Sequence, residues 1–324
     1  MRFRAIRTIF LITFAVLLPG LTSAQETPGQ DWPRTLTIGT ASPGGTYHSY
    51  GEGLARILTR DLGLPVSVRA TQGPGENIAL LGTGEIQIAF VTLGAAQQAW
   101  NAPGPYGDQP SRIMRALFPM YDTAFHFVVP DESGIRSVGD LSGKRIGVGP
   151  RQGTGGTYMA PVFKTLKIDP VLTYGDWADL TGQFEQHQLD ALAVTSGVPF
   201  PTFLELEHRT RLRYLSLAPR QIRDLRLAIP ELSVSSIPAG AYASLPTNLP
   251  TVGLYNFAVV RSDLPEDLAY AIVNAVFSRH EEMVRAHPAA TATIPANFVH
   301  NGFLLFHDGA ARWYRDASDV IMGD

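Results

Sequence analysis

The phrase Gly44-Gly45-Thr46-Tyr47 returns as Gly155-Gly156-Thr157-Tyr158, and each copy follows a short apolar run ending in glycine, over 36–39 and 145–149. A strand that turns through glycines into a helix leaves the first helical N–H groups unpaired and aimed at one spot, which favours an anion. Two such turns predict two anion-facing halves. A second echo joins the first, because Gly84-Glu85-Ile86-Gln87-Ile88-Ala89-Phe90-Val91-Thr92 resembles His187-Gln188-Leu189-Asp190-Ala191-Leu192-Ala193-Val194-Thr195. Each half thus offers a glycine turn and a strand ending in Val-Thr. Parallel sheets bind ligands outside the carboxyl ends of their strands, so Thr92, Thr195 and the adjacent Ser196 join the glycine turns as candidate ligand contacts. The alternative is that the glycines only permit tight turns and the threonines only cap strands or helices.

Other chemistries find less support in the residues. Neither glycine turn carries Gly-Lys-Ser/Thr, and the glycine spacing is not that of a dinucleotide-binding turn. The 8 histidines form no close pair with metal-ligand spacing, and with no cysteine there is no thiolate site, disulfide or Cys nucleophile. No Gly-x-Ser-x-Gly elbow occurs, and Ser196-Gly197 stands at a strand end without an evident His partner, so a hydrolase is the weaker rival. No catalytic residue, cofactor or metal is expected. Arg151, inside the second glycine loop, either forms a bidentate pair with a ligand carboxylate or is a solvated loop charge. Tyr47, Tyr174, Trp177, Phe200 and Tyr255 fall near expected strand ends, where they would wall an apolar part of the ligand; for Trp177 and Phe200 core packing is an equal alternative.

The elements that would position these residues alternate. Apolar runs and helical periodicity predict a strand over 36–39, helix 46–62, strand 66–70, helix 76–81 and strand 86–92. In the helix over 46–62, Tyr50, Leu54, Ile57, Leu58 and Leu62 make one apolar face. A strand over 124–129 leads away. The order then repeats: strand 145–148, helix 157–166, strand 171–174, helix 179–186 and strand 189–195. Short apolar runs separated by helices argue for βαβ units and parallel sheet. Ser262-Asp263-Leu264-Pro265-Glu266 reads as a capped helix start, and 253–260 as a second crossing strand. The expected division is one lobe over 36–128 plus 255–324 and a second over 129–254, joined by two crossings that make a hinge.

Residues 1–24 join Arg2, Arg4 and Arg7 to an apolar run over 9–18 and to Thr22-Ser23-Ala24, which reads as a secretory signal; the run is too short for the roughly 20 residues of a membrane span. Residues 25–35 read as a polar linker, and the expected location is the periplasm. The formal net charge of −3 becomes more negative once the three signal arginines are set aside, so no basic stripe remains for nucleic acid or an anionic membrane surface. A chain of 324 residues is long enough for two lobes with cores of their own, and a monomer is expected.

Ala41-Ser42-Pro43-Gly44-Gly45-Thr46-Tyr47, the 84–91 segment, Asp140-Leu141-Ser142-Gly143-Lys144-Arg145-Ile146-Gly147-Val148-Gly149, Ile237-Pro238-Ala239-Gly240 and Ala286-His287-Pro288 together resemble the TAXI family, the solute-binding subunits of TRAP transporters. The similarity runs from about 36 to 314. It implies an α/β, type II periplasmic-binding-protein fold with two lobes around a hinged cleft. The function it implies is capture of a small organic anion, including glutamate-like dicarboxylates, for a membrane permease driven by an ion gradient. Carried over by position, it adds Gly153 and Thr154 to the ligand contacts named above, and Ser42, beside the first glycine turn, is a further candidate contact. Thr92-Leu93-Gly94 replaces the family's Gln-Ser-Asp, and Thr195-Ser196-Gly197-Val198-Pro199-Phe200 replaces its Ala-Gly-Ala-Pro-Asn. Both departures make the cleft less polar, which points to a monocarboxylate or a carboxylate with an apolar tail. A sensor subunit with the same binding lobes is the alternative use. A β-branched residue at Gly45 or Gly155 is expected to abolish binding and leave the fold.

Overall fold

The computed structural model describes residues 31–101 and 112–322; the expected signal and most of the expected linker lie outside them. The first half runs β1 (Leu36–Gly39), α1 (Thr46–Leu62), β2 (Val66–Arg69), α2 (Pro74–Thr83), β3 (Ile88–Thr92), α3 (Leu93–Asn101) and β4 (Met114–Pro130). The apolar face read for α1 is buried, and Gly63 in the left-handed region closes the helix. Helix α3 escapes sequence reading because its Leu-Gly-Ala-Ala-Gln-Gln-Ala-Trp-Asn run lacks a strong apolar period. Strand β4 is much longer than the 124–129 expected, since Pro119 interrupts an otherwise apolar pattern.

The second half follows with β5 (Arg145–Gly147), α4 (Thr154–Thr165), β6 (Val171–Thr173), α5 (Trp177–Glu185), β7 (Ala191–Ser196), α6 (Pro201–Glu207), β8 (Leu212–Tyr214), α7 (Pro219–Ala228), β9 (Ser233–Ile237) and β10 (Leu249–Arg261). The chain then forms α8 (Glu266–Ser278), α9 (His280–Ala286) and α10 (Asp308–Met322). The 262–266 segment does not cap α8 as read: the N-cap is Pro265, and the Asp263 carboxylate pairs with Arg261 at 2.8 Å.

The strands join in one sheet of order β2-β1-β3-β10-β4-β7-β5-β6, with β8 on β4 and β9 on β10. The pairs β1–β2, β1–β3, β5–β6 and β5–β7 are parallel, so helices must cover both faces. The apolar core accordingly forms four clusters, two in each half. The central strands β4 and β10 serve both halves. Strand β10 pairs with β9 over Leu249–Gly253 and with β3 over Asn256–Val260. Strand β4 pairs with β10 up to Ala124 and with β7 from Ala124 to Val128.

The antiparallel β4–β10 register slips between Tyr255/Asp122 and Phe257/Pro119, so Met120 and Tyr121 stand opposite Asn256 alone. A bulge leaves ladder carbonyls without partners. Here side chains take them: the Thr293 hydroxyl donates to Met120 O at 3.0 Å, and the Asn256 amide to Tyr121 O at 2.6 Å.

His126 is fully buried on β4. Its Nδ1–H donates to Ala124 O at 3.0 Å, its Nε2 accepts from the Tyr242 hydroxyl at 2.9 Å, and burial lowers its pKa to about 4. His287 is lowered to about 4 by the same cause. Because the folded protein holds both rings neutral while the unfolded chain titrates near 6.5, their stabilisation is complete above about pH 6.5 and is lost as pH falls through 4. Thermal denaturation should show Tm falling from about pH 7 to about pH 4.5, with a shallower fall for His126→Gln. A Tm that rises in acid would contradict the buried neutral rings.

Candidate ligand-binding site

Five connections, each leading from a strand into a helix, contribute to the lining of one cavity of about 60 Å³. From the first half come Ser42, Gly45, Thr46 and Tyr47, before and within the first turn of α1, and Gln72, Gly73 and Pro74, where β2 passes into α2. From the second half come Pro150, Gly153, Thr154 and Gly155 at α4, Trp177 at α5, and Thr195, Ser196, Gly197 and Phe200 beyond β7. Thr123 of β4 also lines it. The cavity therefore lies at carboxyl ends of parallel strands, where α1, α2, α4, α5 and α6 open. Among the described residues, none of those that line it is Lys, Arg, His, Asp or Glu.

The repeated glycine phrase does not occupy equivalent places. In the first copy Gly45 is the N-cap of α1, and Thr46 and Tyr47 form its first turn. In the second the N-cap is Gly153, so Thr154 and Gly155 correspond in space to Thr46 and Tyr47, and the echo is offset by about one helical turn. The sequence placed the start of α4 at Thr157. Thr157 instead lies within the helix and donates to Gly153 O at 3.2 Å, and Tyr158 packs in the core against Phe125. Close approach explains the glycines there: a Cβ on Gly155 would stand 2.2 Å from Val148 O, and one on Gly156 2.3 Å from Pro150 O. A β-branched residue at Gly155 therefore disturbs the fold, contrary to expectation. At Gly45 the corresponding contact is 3.1 Å, from Ser42 O.

Of the expected ligand contacts, Ser42, Gly45, Thr46, Tyr47, Gly153, Thr154, Gly155, Thr195 and Ser196 line the cavity, and Gly44, Thr92, Arg151, Gly156, Thr157 and Tyr255 do not. Gly44, at φ 79, stands on the rim and accepts a hydrogen bond from Thr202 at 2.9 Å. Thr92 is fully buried and its hydroxyl accepts from Ala95 N at 3.3 Å at the start of α3. The Arg151 guanidinium lies 4.2 Å over the Tyr174 ring, a cation–π contact that accounts for both side chains outside the cavity. Tyr255 stacks on His300 with centroids 4.0 Å apart. Trp177 and Phe200 do both things the sequence left open: they line the cavity and pack edge to face at 5.3 Å within the core of the second half.

The two halves touch on both rims. The Ser196 hydroxyl donates to Thr46 Oγ1 at 3.0 Å, and the Thr46 hydroxyl passes on to Gly197 O at 3.0 Å. Opposite, Gly75 N donates to Gln152 O at 3.2 Å. Asn77 fixes that side: its amide donates to Thr40 O at 2.7 Å and to Phe90 O at 2.9 Å, while its Oδ1 accepts from Thr71 at 2.8 Å.

Beneath the cavity lies Asn256, fully buried. Its Oδ1 accepts from the Tyr47 hydroxyl at 2.7 Å and the Thr123 hydroxyl at 3.0 Å, so two lining residues are held by the β4–β10 bulge. Desolvation raises the Tyr47 pKa well above its ordinary value, and the phenol is a neutral donor. Among the described residues, the hydroxyls of Ser42, Thr154 and Thr195 have no protein partner, although Ser42 is only 5 % exposed. No group of three or more His, Cys, Asp or Glu among the described residues could hold a metal.

Residues 38–317 match the model of the NMT1-like family. Among solved structures the chain is similar to MatC from Rhodopseudomonas palustris with bound malate, at 12% identity, 87% of this chain and 98% of that one, with a TM-score of 0.57. It is also similar to a structure of a periplasmic transporter, at 14% identity, 89% of this chain and 96% of that one, with a TM-score of 0.52. Together with the ten-stranded sheet, these likenesses give a type II periplasmic-binding-protein fold of two α/β lobes around a cleft.

Proposed function

The chain belongs to the NMT1-like family, and on that premise we propose that it is an extracytoplasmic solute-binding protein that captures a small organic anion between its lobes. The observation that carries this reading is the convergence of α1 and α4 N-termini, one from each half, on a cavity with unpartnered hydroxyls. Helix N-termini present unpaired N–H donors and about half a positive charge each, a setting for an anion that needs no cationic side chain. Malate, bound by the similar Rhodopseudomonas palustris protein, is an organic anion.

The mechanism is capture and closure. An anion docked on one lobe recruits the donors of the other, so ligand shifts the population toward the closed form. The hinge lies where β4 changes partner at Ala124 and β10 changes partner between Gly253 and Asn256. The lobes are then 36–128 plus 255–324 and 129–254. Delivery to a TRAP-type permease in the periplasm is the use we assign to the closed form, and this rests on the TAXI resemblance. A sensor subunit would use the same cleft; co-purification with permease subunits rather than with a kinase tests the choice.

Native mass spectrometry of the gently purified protein should show an organic acid lost on denaturation; a neutral sugar in its place would contradict the anion reading. Thr202→Val removes a rim bond worth about 0.5–1.5 kcal/mol and should weaken ligand binding roughly 3- to 10-fold by calorimetry, with little change in Tm. An unchanged affinity would show that this rim contact is equally present in the open form.

A further inference from the structure

We propose that this cavity selects a short monocarboxylate of about four to six non-hydrogen atoms and rejects dicarboxylates. The inference rests on the reading of the cleft as an anion site and adds charge and size to it. Charge comes first. The helix N-termini at the cavity supply only partial, fixed charges, and no full positive charge stands among them. Among the described residues no lining side chain carries a positive charge, and the nearby Arg151 guanidinium is engaged with Tyr174. A second carboxylate enclosed here would be desolvated without a side-chain counter-charge.

Size comes from closure. With both rims joined, by Ser196, Thr46 and Gly197 on one side and Gly75 with Gln152 on the other, about 60 Å³ remains. A water needs roughly 10–15 Å³ by such a measure, so the space suits a guest of a few heavy atoms. The apolar wall cannot withdraw easily, because Phe200 N donates to the Tyr242 hydroxyl at 2.7 Å and its ring is held between Trp177 at 5.3 Å and Phe203 at 5.0 Å. Ser42, Thr154 and Thr195 supply hydroxyl donors to one head group, and Trp177, Phe200 and Val148 accept a short alkyl end. The long apolar tail admitted by the sequence has no room here.

The test is calorimetry on protein stripped of ligand by unfolding and refolding, titrated with acetate, propionate, butyrate, hexanoate, succinate, malate, glutamate and a neutral sugar. Propionate or butyrate should bind at least tenfold tighter than hexanoate and than each of the diacids. Phe200→Ala should move the optimum to a longer chain without admitting succinate, and Ser42→Ala should weaken every acid together. Succinate, malate or glutamate binding as tightly as the best monocarboxylate would overturn the exclusion of a second charge, and hexanoate binding tightest to the unaltered protein would overturn the size limit. Both of those results leave the anion site standing. Sugar binding with no response to any acid would overturn the anion reading itself.

Discussion

Asn256→Asp should convert an affinity that is insensitive to pH into one that falls as pH rises, by about 2 kcal/mol or roughly 30-fold, the repulsion of unit charges on the order of 7 Å apart at an effective dielectric of about 20. The site explains the sign. Asn256 is fully buried beneath the cavity, accepts from Tyr47 and Thr123, and donates to Tyr121 O. A carboxyl there is desolvated, which raises its pKa. While protonated, its O–H replaces the amide donor toward Tyr121 O, and the variant behaves much as the parent does. Once ionised it loses that donor and sets a negative charge under the space meant for an anion. Propionate titrations at about pH 5.5 and about pH 8.5 separate the two states. Equal affinities at both values would mean that no charge is bound above Asn256. An equal loss at both would mean that the substitution acts through the bulge and not through charge.

Asn256 also marks where sequence reading stops. The alternation of strands and helices around the glycine turns was legible, with β1 and α1 read to the residue, because periodicity and glycine punctuation are local. The aromatic pair Trp177 and Phe200 was legible as a choice between wall and core, and geometry makes it both. What escaped was set by residues far apart in the chain. Asn256 and Thr293 look like ordinary polar positions until a bulge on β4 leaves the Met120 and Tyr121 carbonyls open. Gln72-Gly73-Pro74 gave no motif, yet Asn77 anchors that turn at the cavity. The one-turn offset between the glycine phrases was likewise hidden. Identical letters satisfy different needs, an N-cap at Gly45 and close approach to Val148 O at Gly155.

The cavity wall depends on a relay that begins on the same crossing strand, and Tyr242→Phe should break it. Ala124 O accepts from His126, His126 Nε2 accepts from Tyr242, and Tyr242 accepts from Phe200 N. The substitution removes one oxygen and almost no volume, so no cavity term enters. It leaves a buried donor at Phe200 and a buried acceptor at His126, at about 1–3 kcal/mol for each orphaned group. Urea denaturation should show a loss of about 2–4 kcal/mol with an unchanged m-value. Adding His126→Leu removes one of the two orphans, so the double variant should lose less than the sum of the single losses, a coupling a simple packing defect would not give. Binding should respond in the same direction. With the Phe200 N–H released, the wall can retreat, and butyrate and hexanoate should gain on acetate. Strong destabilisation with an unchanged chain-length preference would show that the relay stabilises the second lobe without setting the shape of the cavity.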